Sequence, residues 1–315
     1  MKRFKNILVV GGPTEATQDI LERAVILAEE NEARLTVMEA VAGLPDGLHA
    51  QALHMSAFEF NAHFAREREK QVRKEISPIV DGRLETQVKV LVGTAFVEII
   101  RAVLREKYDL VMMTAEGLEG LRGKLFNSTA LHLMRKCPCP VWMMKPTQAK
   151  SFNGIVAAVD PDHEDVTKQA LNIKIMDLAT SLAQREQSKL HIVYAWSFER
   201  NYFYGYSGLS DKQIKQLTYE LQMQRRSELI DLVSRYAHMN LDSQVHFLVE
   251  NPGLAIPNLA ASLNTELIVM GTVCRTGLPG LIIGNTAEDV LRQVDCSVLA
   301  VKPEGFVSPV TLPEH

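Results

Sequence analysis

The sequence predicts an α/β chain of two tandem doubly wound domains, each on a five-stranded parallel sheet. Three observations lead there. The chain has 315 residues, and a typical domain has roughly 100–200. Leu110–Pro146 aligns on Leu267–Pro303 without a gap, with twelve of 37 positions identical. Within each half, short continuous apolar runs alternate with longer amphipathic stretches, the pattern of parallel strands covered on both faces by helices.

The aligned identities include Gly120/Gly277, Gly123/Gly280, Thr129/Thr286, Cys139/Cys296 and Lys145/Lys302, all 157 residues apart. The same spacing carries Val88–Val92 onto Val245–Val249. Further upstream Leu27–Val37 falls on Leu182–Ile192, and Ile7–Val10 on Ile155–Ala158. The shorter upstream offsets mean insertions in the second copy. Solenoid repeats have periods of roughly 20–50 residues, so this spacing is a duplicated domain.

Each copy presents the same order of predicted elements. A strand (Ile7–Val10; Ile155–Val159) leads to a helix (Ile20–Glu30; Leu171–Gln184) and a second strand (Arg34–Ala40; Lys189–Ala195). A long helix follows, Ala57–Ile76 stopped by Ser77 and Pro78 in the first copy, Asp211–Tyr236 in the second. Then come a strand (Gln87–Val92; Gln244–Val249), a helix (Ala95–Glu106; Leu254–Leu263) and a fourth strand (Leu110–Met113; Leu267–Met270). A glycine-bearing loop, a last helix (Ser128–Lys136; Thr286–Gln293) and a fifth strand (Val141–Met144; Val298–Val301) close the copy. Domain one is set at residues 1–146 and domain two at 152–303, joined by the polar linker Thr147–Ser151 and followed by a tail, 304–315. Both fifth strands are wholly apolar, and exposed apolar edges are normally covered. Pairing them would make one chain an intramolecular pseudo-dimer; homo-oligomers of whole chains remain open.

Composition narrows the function. Hydrophobic residues are 46% and charged residues 23%, ordinary for a soluble globular protein. The net charge of −4 offers no basic footprint for nucleic acid. The one basic run, Arg66–Arg73, carries two glutamates and reads as a solvated helix face. The apolar run Ile7–Val10 ends at Gly11-Gly12-Pro13, short of the roughly 7–15 residues of a signal-peptide core. No stretch approaches a membrane span, so a cytoplasmic location is expected. Four cysteines, including the pair Cys137-Pro138-Cys139, do not make a disulfide scaffold, and Cys139 reads as a small semi-buried residue before a strand. Nine histidines show no metal spacing, and neither H-E-x-x-H nor G-x-S-x-G occurs. The chain is therefore read as a binding protein and not an enzyme.

Ligands of doubly wound sheets bind beyond the carboxyl ends of the strands. In the second copy the loop after the fourth strand runs Gly271-Thr-Val-Cys274-Arg-Thr-Gly277-Leu-Pro-Gly280-Leu-Ile-Ile-Gly284-Asn285-Thr286. Glycines let backbone N–H groups approach a phosphate, and the helix that follows aims its positive dipole end there. The plainer role of Asn285 or Thr286 is to cap that helix.

Both copies, over nearly the whole chain, resemble the universal stress protein family, and the tandem arrangement is most similar to its bacterial E type. Family members share a G-x2-G-x9-G loop followed by Ser, Thr or Asn. In those that bind ATP this loop holds the ribose and phosphates, while an aspartate ending strand one contacts the adenine. Gly271, Gly284 and Asn285 match the loop, Thr286 follows, and Asp160 matches the aspartate. The resemblance thus implies a stress-response protein with an adenine-nucleotide site, ATP as its cofactor, in the second domain. Cys274 departs, standing where the second glycine belongs; if that position takes a positive φ, a Cβ costs about 1–2 kcal/mol. The first copy departs further, with Thr114 and Asn127 at two loop glycines, Gly117 kept, and Gly12 at the aspartate position. It is expected to bind no nucleotide.

Two apolar clusters keep another ligand class open. Asn201–Tyr206 is rich in aromatics and follows the second strand of copy two, as a lid over a ligand or as packing between copies. Leu53, Met55, Phe58 and Phe60 in copy one read as helical core, or as the lining of an apolar cavity. The alternatives to a nucleotide site are thus a module for an apolar, lipid-like small molecule and an interaction scaffold without ligand.

Overall fold

The computed structural model describes residues 4–12, 14–44, 49–50, 55–82, 84–115, 128–146, 151–197, 209–272 and 284–313. A first compact unit comprises Met1–Gln148 with the tail Phe306–His315, and a second comprises Ala149–Arg275 with Ile283–Gly305. In the first, Arg101 Nε donates to the Thr311 carbonyl at 3.4 Å, so the tail lies against a helix of that unit.

The first unit runs β1 (Asn6–Val10), α1 (Glu15–Asn31), β2 (Arg34–Val41), α2 (Ala57–Val80), β3 (Thr86–Val92), α3 (Ala95–Glu106), β4 (Leu110–Thr114), α4 (Ser128–Lys136) and β5 (Val141–Met144). Its strands lie side by side as β5-β4-β1-β2-β3, all parallel. The second unit runs β6 (Gly154–Ala158), α5 (Val166–Glu186), β7 (Lys189–Ala195), α6 (Asp211–Ser234), β8 (Ser243–Leu248), α7 (Pro252–Ser262), β9 (Leu267–Gly271), α8 (Asn285–Gln293) and β10 (Ser297–Val301). Its order is β8-β7-β6-β9-β10, again parallel. The fold is the doubly wound α/β sheet expected, present twice.

The central strands have no polar face, because helices cover both sides of a parallel sheet. Ile7, Leu8 and Val9 are wholly buried in β1, as are Ile155, Val156 and Ala157 in β6. Helix α3 shows the complementary pattern: Ile99, Ile100, Ala102 and Val103 are buried, while Glu98 and Arg101 pair across the outer face at 2.7 Å.

The long helices begin alike. Ser56 accepts from the Glu59 N–H while Glu59 reaches back to the Ser56 N–H; Ser210 and Gln213 do the same. Each is a capping box, typically stronger than a single cap because two orphan donors are satisfied together.

Two expectations need correction. Helix α2 does not stop at Ser77-Pro78; it continues to Val80 and ends on Asp81 in the left-handed conformation, φ 46°. Pro78 lies in the last turn, and burial of Val72, Ile76 and Val80 on one face holds the helix through it. Nor do all of the residues around Phe58 belong to a core or cavity. Phe58 is 82% exposed and Met55 is exposed, while Phe60 stacks on Phe64 with ring centroids 6.4 Å apart. The capping box fixes the first turn of α2 with Phe58 facing outward; Leu53 lies outside the described residues. The basic run Arg66–Arg73 is the solvated face expected, apart from buried Val72 and part-buried Arg68 and Glu69.

Candidate functional site

The strand order reverses between β6 and β9: from β6 the chain proceeds outward to β7 on one side and, later, to β9 on the other. A crevice at the carboxyl ends of the strands is characteristic of such a switch point. Ala158 pairs with Met270, so Asp160 and Thr272 leave neighbouring strands at the same edge.

Asp160 is held there by its backbone. Its N–H donates to Asn172 Oδ1 at 2.9 Å, and Asn172 Nδ2 donates to its carbonyl at 2.8 Å. Asn172, buried on α5, thus fixes the strand end and leaves the carboxylate outside. That carboxylate is 62% exposed and pairs with Lys168 Nζ at 3.0 Å. Lys168 also meets Asp162 at 3.3 Å, and Arg225 of α6 reaches Asp162 at 3.9 Å and the buried Glu228 at 2.9 Å. Burial alone would lower the Lys168 ammonium, but Asp160 and Asp162 more than offset it and hold it above the ordinary lysine value. For Asp162, burial pulls upward, yet the Glu164 N–H, Lys168 and Arg225 prevail and keep the carboxyl below its ordinary value. Tyr194, buried at the end of β7, has its hydroxyl pushed up by burial and by the nearby Asp160 carboxylate.

Gly271 ends β9 without a positive φ, so its backbone does not require glycine. Packing is close instead: a Cβ there would lie 2.8 Å from Leu171 Cδ2 on α5, so that methyl would have to shift. Gly284 stands at φ −60°, ψ 140° as the N-cap of α8, with no side chain to satisfy the first N–H groups. This corrects the capping role considered for Asn285 and Thr286. Both are exposed at the first two helical positions, because the chain is already helical at Asn285. The two ends of the loop are tied together: the Gly284 N–H donates to the Thr272 carbonyl at 3.2 Å. Beneath them Lys302 is buried, its ammonium donating to Thr272 Oγ1 at 2.5 Å. Cys274 lies outside the described residues, as do Gly277, Gly280 and the aromatic run Asn201–Tyr206.

Asp160, Gly271, Gly284, Asn285 and Thr286 therefore share one edge of the second sheet. Lys168, Asn172, Tyr194, Arg225 and Lys302 join them. The pairing of Asp160 with Lys168, eight residues on in the first turn of α5, had no motif to announce it. Lys302 was visible only as an identity of the repeat.

The corresponding edge of the first unit is built otherwise. A Cβ on Gly12 would fall 2.9 Å from Glu39 Oε1, so the Glu39 side chain lies where an aspartate at this position would project. Glu39 is in turn bound by Arg68 of α2 at 2.8 Å. Thr114 carries a side chain at the strand end where the second unit has Gly271. Gly117 and Asn127 lie outside the described residues.

Comparison with known proteins agrees with this doubling. The Universal stress protein family profile matches residues 3–145 and again 152–302. The chain is 28% identical over 309 residues to the universal stress protein E homolog of Haemophilus influenzae, covering 96% of this chain and 98% of the relative. To universal stress protein E of Salmonella typhi it is 27% identical over 321 residues, covering 100% and 99%. In fold it is similar to a crystal structure from Pseudomonas aeruginosa UCBPP-PA14, with TM-score 0.72, 22% identity, and 97% and 95% of the two chains covered. A universal stress protein from Archaeoglobus fulgidus DSM 4304 superposes with TM-score 0.62 at 18% identity, covering 94% and 98%.

Proposed function

The chain belongs to the universal stress protein family, and from that premise we propose that it is a regulatory binding protein whose second unit takes an adenine nucleotide of the ATP type. One observation carries the reading: Asp160 and Thr272 leave adjacent strands at the point where the second sheet reverses its order, and Thr272 is bonded to Gly284 at the far end of the loop. In this reading the exposed Asp160 carboxylate accepts from the adenine amino group. The uncapped N–H groups of Asn285, Thr286 and Ala287 receive phosphate at the positive end of α8. Gly284 adds no side chain at that helix end, and Lys168, paired with Asp160, holds the carboxylate that meets the adenine. The first unit is a partner fold without a nucleotide, since Glu39 and Arg68 already occupy its strand edge.

We assign the protein no catalytic step. The carboxylates at this edge are bound in ion pairs, and Asp162 is held below its ordinary value, which makes it a weaker base. Among the described residues no helix is long and apolar enough to cross a membrane; a cytoplasmic location belongs to this proposal.

Isothermal titration of the full chain, stripped of bound nucleotide, with ATP and magnesium tests the reading. Binding is expected, with Asp160→Ala weakening it at least about tenfold, the loss of one charge-assisted hydrogen bond. Cys274→Gly, which restores the glycine of the family's loop, is expected to strengthen it. No heat from stripped protein, confirmed by equilibrium dialysis, would overturn the proposal.

A further inference from the structure

Two thiols with no part in the nucleotide reading lie against each other at the opposite, amino-end edge of the first sheet. Cys137 follows α4, its N–H still bonded to the Leu133 carbonyl at 2.9 Å, and Cys139 stands just before β5. The chain bends between them at Pro138, whose ring fixes φ near −65°. The bend brings the two Sγ atoms to 3.5 Å. Cys137 is fully buried and Cys139 is 8% exposed. A disulfide bond is ~2.05 Å long, so closure asks for an approach of roughly 1.5 Å, within reach of χ1 rotation and a small shift of the bend.

We propose that Cys137 and Cys139 form a reversible disulfide, a redox modification site of the first unit whose oxidant is a hydroperoxide. Cys139, the less deeply buried residue of the two, attacks the peroxide oxygen through its sulfur. Its sulfur is oxidised to a sulfenic acid, the O–O bond breaks, and an alcohol or water leaves. Cys137 sulfur then attacks the sulfenic sulfur, the S–S bond forms and a second water departs. Two thiols and one hydrogen peroxide thus become one disulfide and two waters. A dithiol reductant reverses the step by thiol–disulfide exchange.

The surroundings set its character. The Cys137 thiol, then burial, then the Asp109 carboxylate push the Cys139 thiol well above its ordinary value, so little thiolate is present and the first attack is slow. The second step is favoured, because the resolving thiol is already at 3.5 Å, whereas a further peroxide must diffuse in. The repeat supplies an internal control. Cys296, buried like Cys139, aligns with it, but Val294 stands where Cys137 would be, so the second unit cannot close this ring.

The experiment uses the full reduced chain, exposed to graded hydrogen peroxide under native conditions, quenched with catalase, denatured, alkylated with iodoacetamide and mapped by peptide mass. The peptide carrying Cys137 and Cys139 is expected to lose two hydrogen atoms and take up no label. Dithiothreitol should restore both labelling sites, while Cys296 stays labelled throughout. In Cys137→Ala, Cys139 should instead proceed to sulfinic acid. The wild-type map carries the test should a variant fail to fold. Full labelling of both thiols after native oxidation would overturn the proposal, as would sulfinic acid in the wild type or oxidation of Cys296 at the same peroxide dose. None of these outcomes bears on nucleotide binding, which titration of the reduced protein reads separately.

Discussion

Replacing Gly284 with aspartate adds a capping side chain to α8 at a position whose backbone already has the geometry for one. Gly284 is at φ −60°, ψ 140°, and among the described residues no side chain caps the first N–H groups of the helix. Aspartate at an N-cap improves on glycine by a few tenths of a kcal/mol. A negative charge at the positive end of a helix adds about 0.3–1 kcal/mol. Together they amount to about 0.5–1 kcal/mol, a rise in melting temperature of about 1–4 °C for a unit of roughly 150 residues. The same carboxylate stands where the proposal puts a phosphate. At about 5 Å and an effective dielectric near 20, two unit charges repel by about 3 kcal/mol. Solvent at the helix end screens part of this, so a loss of affinity of at least about tenfold is expected. Differential scanning calorimetry and ATP titration read the two effects on one preparation, with Gly284→Ala as the control that adds a Cβ without a cap. A variant that melts higher and binds ATP within a factor of about two of wild type would refute the phosphate assignment. One that melts lower would refute the capping geometry.

Gly271→Ala is expected to cost about 1 kcal/mol, because its Cβ would press on the Leu171 Cδ2 methyl at 2.8 Å and make that side chain shift, and Leu171→Ala should recover most of that cost in a double-mutant cycle of urea unfolding; additive costs would remove the packing explanation. Glu39→Ala removes the shorter of two carboxylate partners from the partly buried Arg68 guanidinium, which keeps Glu75 at 3.5 Å, and should destabilise the first unit by at most about 1 kcal/mol with ATP affinity unchanged, whereas a changed affinity would place the first unit in the site. His191 Nδ1 and His246 Nε2 lie 3.1 Å apart on β7 and β8, and burial holds both below the ordinary 6.5. The unfolded chain then binds more protons just below pH 6.5, so stability falls as pH drops through that value and levels off below the folded pKa values. His246→Gln should flatten that slope between pH 7 and 5 in chemical unfolding; an unchanged slope would remove the pair as its source.

The fold was readable because duplication tests itself. An element proposed in one copy had to reappear in the other, and Ala95–Glu106, Ser128–Lys136, Val141–Met144 and Lys189–Ala195 have the bounds their apolar pattern predicts. Ends failed where a local signal met tertiary packing. Pro78 is a sound stop signal by itself, but three buried side chains carry α2 through it. Asn285 and Thr286 are good capping residues, yet the helix starts one position earlier, so Gly284 takes the cap. The capping boxes Ser56/Glu59 and Ser210/Gln213 were legible as S-x-x-E and S-x-x-Q and would have marked both long helices.

The candidate site was legible as far as residues answer to a motif. Asp160, Gly271, Gly284, Asn285 and Thr286 do. Their surroundings do not, because Lys168, Asn172, Tyr194 and Arg225 come from three separate elements and Lys302 from just beyond β10, and they converge only in the folded sheet. Nor could the residues alone say that two glycines of one motif are glycine for different reasons. Gly271 lies against Leu171, and Gly284 gives the helix that follows it an N-cap without a side chain.

The central claim is that the two copies share a fold and differ in ligand capacity, the second alone taking a nucleotide. Photolabelling the full chain with an azido-substituted ATP, combined with binding stoichiometry and peptide mapping, tests it most directly. The account expects one nucleotide per chain and label confined to residues 152–303, competed away by ATP and lost in Asp160→Ala. Two nucleotides per chain, or competable label within residues 1–146, would contradict it.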